Sequence, residues 1–262
     1  MSDVVRASDG IQIRFDSTGI GTRALVFVHG WSCDRGYWKA QLPAFADRFQ
    51  VATLDLAGHG ESGSGRAAYT MEAFGADVAA VIDRLDLADA VLIGHSMGAD
   101  VILETALLRP ERVRGMVWVD QYGTLGKPRT EDEVRAFVDS FHPDFVARTQ
   151  RLVRGFFPPT ADAGLVDWIV GDMSSAPPEI AIDAFEHTIA NHGHVLQVLP
   201  HVSAPVVAIN TDFRPVDAEA LRQHGVADVV VMPGLGHFPM MEDPERFNRT
   251  LAEVVDGLGV EA

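Results

Sequence analysis

Cysteine and lysine are scarce in this chain, and apolar residues never form a long uninterrupted run. The single cysteine, Cys33, excludes an internal disulfide and is typical of a reducing cytoplasm. No apolar stretch approaches the roughly 18 residues of a membrane span. Residues 1–6 lack the apolar core of an export signal. These absences predict a cytoplasmic protein without a membrane partner.

Positive charge is also in deficit, and the formal net charge of −16 disfavours nucleic acid and anionic membranes as partners. The sequence has no G-x-G-x-x-G or G-x-x-x-x-G-K-[ST] motif for a nucleotide and no H-E-x-x-H motif for zinc. His187, His192 and His194 cluster in sequence, but we interpret them as residues at a helix end. We therefore predict no cofactor and no metal.

The most informative segment is GHSMG at residues 94–98. An apolar, β-favouring run at 90–93 precedes it, and a helical pattern at 99–108 follows it. A serine on such a strand–turn–helix junction is held in strained backbone geometry, so its neighbours must be small. Its hydroxyl is exposed at a helix N-terminus that can stabilise an anion. The context predicts that Ser96 is a catalytic nucleophile.

Strands and helices alternate along most of the chain. Hairpin strands at 4–8 and 11–15 flank Asp9 and Gly10, and buried strands are predicted at 24–28, 51–55, 90–93, 116–119, 205–209 and 229–232. Buried strands that alternate with helices indicate an α/β fold with a mostly parallel sheet flanked by helices.

The alternation lapses between residues 126 and 200. Four helical segments, at 131–141, 144–156, 163–173 and 180–190, are separated by the proline pairs at 158–159 and 177–178. We predict a core of residues 1–125 and 201–262, interrupted by a helical cap at 126–200.

A serine nucleophile needs a base, and the base needs an orienting partner. His237 is the best-placed histidine, because it follows the last strand in a glycine-rich loop. With HGW at 29–31, DLAGHGES at 55–62, GHSMG at 94–98 and GHF at 236–238, the chain resembles α/β-hydrolase-fold proteins over nearly its whole length. The resemblance implies an oxyanion hole formed by the backbone amides of Trp31 and Met97 and a lid formed by the helical insert.

The acid is where the sequence departs from the family pattern. Arg214 stands where the resemblance places the usual carboxylate, after the 205–209 strand. Asp120, at the end of the preceding strand, and Asp212 are both catalytic candidates. Asp217 is a third, although it fits a helix cap better. The sequence leaves this choice open.

Aromatic side chains predict a largely apolar substrate pocket. The candidate substrate-binding residues are Phe156, Phe157 and Trp168 in the insert and Phe213 and Phe238 in the core. An apolar pocket with few polar groups suits a small ester or lactone.

These features predict a serine hydrolase of the carboxylesterase or lactonase type, acting on a small molecule as a monomer or homodimer. The same groups could hydrolyse carbon–carbon bonds of β-diketone-like substrates. HGWSCD at 29–34 and an acid at Asp120 are also similar to the cofactor-free dioxygenases of this fold. A receptor for a small apolar ligand is the non-catalytic alternative.

Overall fold

The computed structural model describes residues 2–123, 125 and 128–259. The strands are β1 (Ser2–Arg6), β2 (Gln12–Thr18), β3 (Ala24–Val28), β4 (Gln50–Leu54), β5 (Ala90–His95), β6 (Val113–Val119), β7 (Val206–Thr211) and β8 (Asp228–Met232). The helices are α1 (Gln41–Phe45), α2 (Met71–Arg84), α3 (Met97–Leu108), α4 (Glu131–Asp139), α5 (Phe145–Arg154), α6 (Ala163–Ser174), α7 (Pro178–Ala190), α8 (His192–Val198), α9 (Ala218–Gln223), α10 (Pro239–Glu242) and α11 (Pro244–Gly257).

The strands form one sheet in the order β1-β2-β4-β3-β5-β6-β7-β8. β1 and β2 pair in an antiparallel hairpin, β2 is antiparallel to β4, and the remaining neighbours are parallel. β3 and β5 are buried at every position, because helices cover both faces of the sheet. The predicted α/β fold with a mostly parallel sheet is therefore confirmed.

The register of the central strands brings several loops to one edge of the sheet. Val119 of β6 lies opposite His95 of β5 and Ile209 of β7. Ser96 and Asp120 each follow directly on these paired residues. Open α/β sheets bind ligands at the carboxyl ends of their strands, so this edge is where a site is expected.

In the described part of the chain between β6 and β7 there are five α-helices, α4 to α8. The first four correspond to the predicted helical segments; α8 was not predicted. The predicted cap begins at Gly126, which lies outside the described residues. We call residues 128–200 the cap segment; the division into two units stays a prediction. Nowhere in the described ranges is a helix both long and apolar enough to cross a bilayer.

Polar contacts join the cap segment to the sheet side of the molecule. The Trp31 indole donates to the Ala181 carbonyl at 2.7 Å, and its ring stacks on Phe185 with centroids 4.3 Å apart. The Tyr37 hydroxyl donates to Asp172 at 2.6 Å. The loop that carries the HGW motif is thus fixed to the helices above it.

Candidate active site

Ser96 stands on a sharp turn between β5 and α3. Its φ of 50° and ψ of −121° lie in a strained region for a residue with a side chain. The Ser96 amide donates to the Val119 carbonyl at 3.0 Å, which ties the turn to β6. The side chain is half-buried, so it retains some contact with solvent.

The glycines on either side of Ser96 are required by close backbone packing. A Cβ on Gly94 would lie 2.2 Å from the Gly98 carbonyl oxygen, and a Cβ on Gly98 would lie 2.5 Å from the Val28 carbonyl oxygen. Neither position has space for a larger residue. The GHSMG pattern therefore reflects the tight approach of α3 to β3 and β5.

His237 lies in the loop between β8 and α10, and its imidazole is paired with Asp120. The distance from His237 Nδ1 to Asp120 Oδ2 is 2.6 Å, and the two side chains are only 7% and 9% exposed. The His237 amide donates to the Phe156 carbonyl at 2.9 Å. With Nδ1 bonded to the carboxylate, Nε2 is the nitrogen left to exchange a proton. Ser96 Oγ makes no hydrogen bond within the described ranges. The hydrogen bond between a catalytic serine and its histidine is often long when no substrate is bound.

Asp120 occupies a strained position directly after β6, with a φ of 49°. Its second oxygen, Oδ1, accepts hydrogen bonds from the Thr211 amide at 2.9 Å and the Thr211 hydroxyl at 3.0 Å. Burial acts to raise the pKa of Asp120, but the hydrogen bonds and charge of His237, with those from Thr211, hold it below its ordinary value. The carboxylate is therefore ionised. One of its oxygens is bonded to His237 and the other to Thr211 at the end of β7.

The other two candidate acids lie elsewhere. Asp212 is exposed, and its Oδ1 accepts from the Gly234 amide at 2.7 Å. Asp217 caps α9 by accepting from the Ala220 amide. The predicted pairing of Asp212 with His237 is therefore not present in the structure, because the Asp212 carboxylate faces the loop after β8. Arg214 lies over the Phe156 ring, 5.0 Å from its centroid.

A buried carboxylate that the sequence analysis missed supports the Asp120 turn. Asp100, in the first turn of α3, is fully buried and accepts hydrogen bonds from Tyr122, from Gln121 at 3.1 Å and from Asn191 of the cap segment at 2.5 Å. Burial raises its pKa to about 6, against these hydrogen bonds. The signal in the sequence is an acid four residues after Ser96, in a helix whose only other polar residues are Glu104 and Thr105.

The backbone amides of Trp31 and Met97 are available as donors. Neither donates to a backbone oxygen within the ranges that the structure covers. Met97 opens α3, where the first amides have no partner within the helix. The Gly30 backbone passes close to the serine, since a Cβ on Gly30 would lie 3.2 Å from Ser96 Cβ. The two amides are thus on segments that meet at Ser96.

The predicted substrate-binding aromatics have different environments. Phe156 contacts the His237 ring, with centroids 4.8 Å apart, and Phe157 stacks on Phe238 at 5.4 Å. Phe238 is fully buried, so it supports the His237 loop from beneath. Trp168 is 47% exposed and packs on Tyr37 at 5.3 Å. Phe213 is half-buried in the loop after β7.

His95, beside the serine, is a buried structural histidine. Its Nε2 donates to the His237 carbonyl at 2.7 Å, and burial together with the neighbouring His237 lowers its pKa to about 3. The neutral ring therefore fixes the backbone of the His237 loop.

A polar cavity of about 290 Å³ lies where the HGW loop meets the cap segment. Its lining includes Ser32, Cys33, His59 and Asp172. Ser32 has a φ of 53°, and its buried hydroxyl has no hydrogen-bond partner within the described residues. This cavity differs from the predicted apolar pocket, because carboxylates, a hydroxyl and an imidazole line it.

Comparison with known proteins identifies the family to which the chain belongs. A sequence model described as "Alpha/beta hydrolase family" matches residues 25–250. The chain is 32% identical over 245 residues to the dihydrolipoyllysine-residue acetyltransferase component of the acetoin cleaving system of Pseudomonas putida, covering 90% of this chain and 64% of that protein. It therefore spans just under two thirds of that relative's length.

Two solved structures superpose on nearly the whole molecule. A thermophilic esterase from Thermogutta terrifontis is 26% identical, with 98% of this chain and 99% of that chain covered and a TM-score of 0.83. Est816, described as an N-acyl homoserine lactone degrading enzyme, is 26% identical, with 96% and 99% covered and a TM-score of 0.81. Together with the matched sequence model, these similarities confirm the resemblance seen in the motifs: the chain belongs to the alpha/beta hydrolase family.

Proposed function

We propose that the protein is a serine hydrolase that cleaves a carboxylic ester or a lactone. The observation that carries this proposal is the buried pair of His237 and Asp120 at the sheet edge where Ser96 stands on its strained turn. A strained serine, an oriented imidazole and two free amides are the parts that acyl transfer to a serine requires.

In the proposed mechanism, Ser96 Oγ attacks the substrate carbonyl carbon while His237 Nε2 takes the hydroxyl proton. The Asp120 carboxylate accepts a hydrogen bond from His237 Nδ1–H. This bond fixes the tautomer that leaves Nε2 as the base, and it stabilises the imidazolium that forms when Nε2 takes the proton. The Trp31 and Met97 amides donate to the oxyanion, each contributing about 3–4 kcal/mol to lowering the barrier. His237 then protonates the leaving alcohol, and water releases the acyl group by the reverse sequence.

The similar proteins support this reaction class. One structural neighbour is an esterase and another is described as degrading a lactone. Both reactions are attack on an acyl–oxygen bond, and a lactone differs only in keeping its leaving alcohol attached. The acetyltransferase name of the Pseudomonas relative is not carried over, because the chain spans 64% of that protein.

The placement of the acid favours a second candidate. Asp120 follows β6, and the cofactor-free dioxygenases that HGWSCD at 29–34 resembles place their acid at that strand end. In such an enzyme His237 would deprotonate a bound heteroaromatic, and Ser96 would only contact it. Oxygen consumption without ester turnover is the signature of this alternative.

The test combines a serine-reactive phosphonate with activity on a panel of p-nitrophenyl esters and lactones. We expect one phosphonyl group per chain, located on Ser96 by peptide mass spectrometry. We expect Ser96→Ala to lose both the label and about 10⁵–10⁶-fold in kcat. Ser140→Ala, at an exposed helix end, is the matched control and should keep both. A folded wild-type protein that is not labelled, and that consumes oxygen with a heteroaromatic substrate, would contradict the proposal.

A further inference from the structure

Three metal-ligating side chains from three helices meet at the seam between the cap segment and the helices of the sheet layer. They are Glu72 of α2, Glu104 of α3 and His194 of α8. Their ligand atoms all lie within 4.8 Å of one another. Glu104 is eight residues from Ser96 along α3, a rise of about 12 Å, so this cluster is separate from the candidate active site.

The structure separates the three histidines that cluster in sequence. His192 packs against Tyr122, with ring centroids 4.9 Å apart, and His187 lies 3.9 Å from the Asp183 carboxylate. His194 turns instead to Glu104, with 2.7 Å between Nε2 and Oε1. The grouping that matters is therefore one histidine with two glutamates from distant parts of the chain.

The charge balance of this cluster favours a cation. The Glu104 side chain is only 7% exposed, and its ion-pairing partner within the described residues is His194. The Glu72 carboxylate lies beside this pair and adds a second negative charge. Buried carboxylates are normally paired with a fixed positive charge or coordinate a metal. Here two carboxylates share one imidazole.

We propose that Glu72, Glu104 and His194 bind a divalent transition-metal ion, with Zn²⁺ as the best fit. One imidazole nitrogen and two carboxylate oxygens match the ligands that zinc takes, at about 2.0–2.2 Å, with water completing a tetrahedron. The ion takes the place of the hydrogen bond between Glu104 and His194. Glu72 is exposed, so its side chain is free to close the remaining distance.

A metal ion at this position connects the cap segment to the sheet layer. α8 belongs to the cap segment, whereas α2 and α3 pack together beside the sheet. The site lies one helical turn along α3 from the Asp100–Asn191 hydrogen bond, so it reinforces an existing contact. An ion that binds only the folded chain stabilises it, by about 5 °C in Tm at a concentration 100-fold above Kd.

The test is calorimetric titration of the EDTA-treated chain with ZnSO₄, with thermal unfolding measured in parallel. We expect one equivalent to bind the wild type and raise Tm. His194→Gln and Glu72→Gln should each weaken binding at least 10-fold and reduce the Tm shift to about half or less. Glu104→Gln should have the same effect. If this buried substitution impairs folding, the test depends on Glu72→Gln, because Glu72 is exposed.

Two matched controls guard against zinc bound elsewhere on this acidic chain. His142→Gln and Glu179→Gln change the same residue types at exposed positions of the cap segment and should bind like the wild type. Absence of one-to-one binding in the wild type would overturn the proposal. Binding that survives both His194→Gln and Glu72→Gln would overturn it as well. Neither readout uses enzymatic activity, so the result is independent of the proposed function.

Discussion

The turns that follow β6 and β7 lie side by side, yet they treat their aspartates differently. Asp120, after β6, is nearly buried, has a positive φ and bonds to His237. Asp212, after β7, is exposed and bonds to a backbone amide of the β8 loop. The end of β7 contributes donors instead, because the Thr211 amide and hydroxyl both bond to Asp120.

This difference shows that the partner of His237 is the carboxylate whose side chain reaches the imidazole, whatever its position in the sequence. Adjacent parallel strands are about 4.8 Å apart, so carboxylates on neighbouring strand ends can both approach one imidazole. The positive φ at Asp120 turns its side chain toward His237, and Thr211 fixes its second oxygen. In the β7 turn, Arg214 lies over Phe156 at the position where the family resemblance expects an acid.

The largest difference in activity between the two turns is expected when each aspartate is neutralised in turn. Asp120→Asn should lower kcat by about 10³–10⁴-fold, because an amide cannot stabilise the imidazolium and favours the wrong tautomer. Asp212→Asn, the matched control, should stay within about twofold of the wild type, since an exposed amide acceptor replaces an exposed carboxylate. Steady-state kinetics on one ester measures both. Equal losses in the two variants would remove the distinction between the turns.

A smaller effect is expected from the contact that joins the two turns. Thr211→Val removes one hydroxyl donor to the Asp120 carboxylate and should lower kcat by about 10-fold, the value of one charge-assisted hydrogen bond. Thr211→Ser keeps the hydroxyl and should retain most of the activity. KM should change little, because Thr211 contacts the acid and not the substrate. An unchanged kcat in Thr211→Val would show that β7 does not support the acid.

The smallest effect on turnover is expected at Asp100, which anchors the residues after Asp120. Asp100→Asn should change kcat only a few-fold at pH 8, but it should alter the pH dependence of stability. Burial raises the pKa of Asp100 to about 6, above its unfolded value of about 3.9. Its contribution to stability is therefore fully present below about pH 4 and is lost as the pH rises through about 6.

Urea unfolding at several pH values measures this difference. Between pH 4 and pH 7 the wild type should lose on the order of 2 kcal/mol relative to Asp100→Asn. Taking the difference between the two proteins cancels the titration of groups that do not interact with Asp100. Parallel pH profiles for the two proteins would show that Asp100 titrates like an exposed aspartate.

Most of the fold could be predicted from the sequence because its signals are local. The apolar run at 24–28 matches β3 residue for residue, and Asp9 and Gly10 form the predicted hairpin turn. The helical segments between β6 and β7 were also visible in the pattern. α1 and α10, of five and four residues, and α8 carry too few residues for a periodic signal.

The site could be predicted only in part, because pairing depends on backbone direction. Ser96 and His237 can be predicted from motifs. The choice between Asp120 and Asp212 depends on the positive φ of Asp120, which no sequence pattern near that residue predicts. Asp100 was missed because its partners come from the β6 turn and from the cap segment. Phe238 was assigned to the pocket although it is buried, since periodicity does not reveal which face of a loop is covered.

We propose that Asp120, and not Asp212, orients His237, and the proton on His237 Nδ1 reports which carboxylate is its partner. In proton NMR of ¹⁵N-histidine-labelled protein, a hydrogen bond to a buried carboxylate gives a strongly deshielded Nδ1 proton. We expect this signal in the wild type and in Asp212→Asn, and its loss in Asp120→Asn. A signal that persists in Asp120→Asn and disappears in Asp212→Asn would contradict the account.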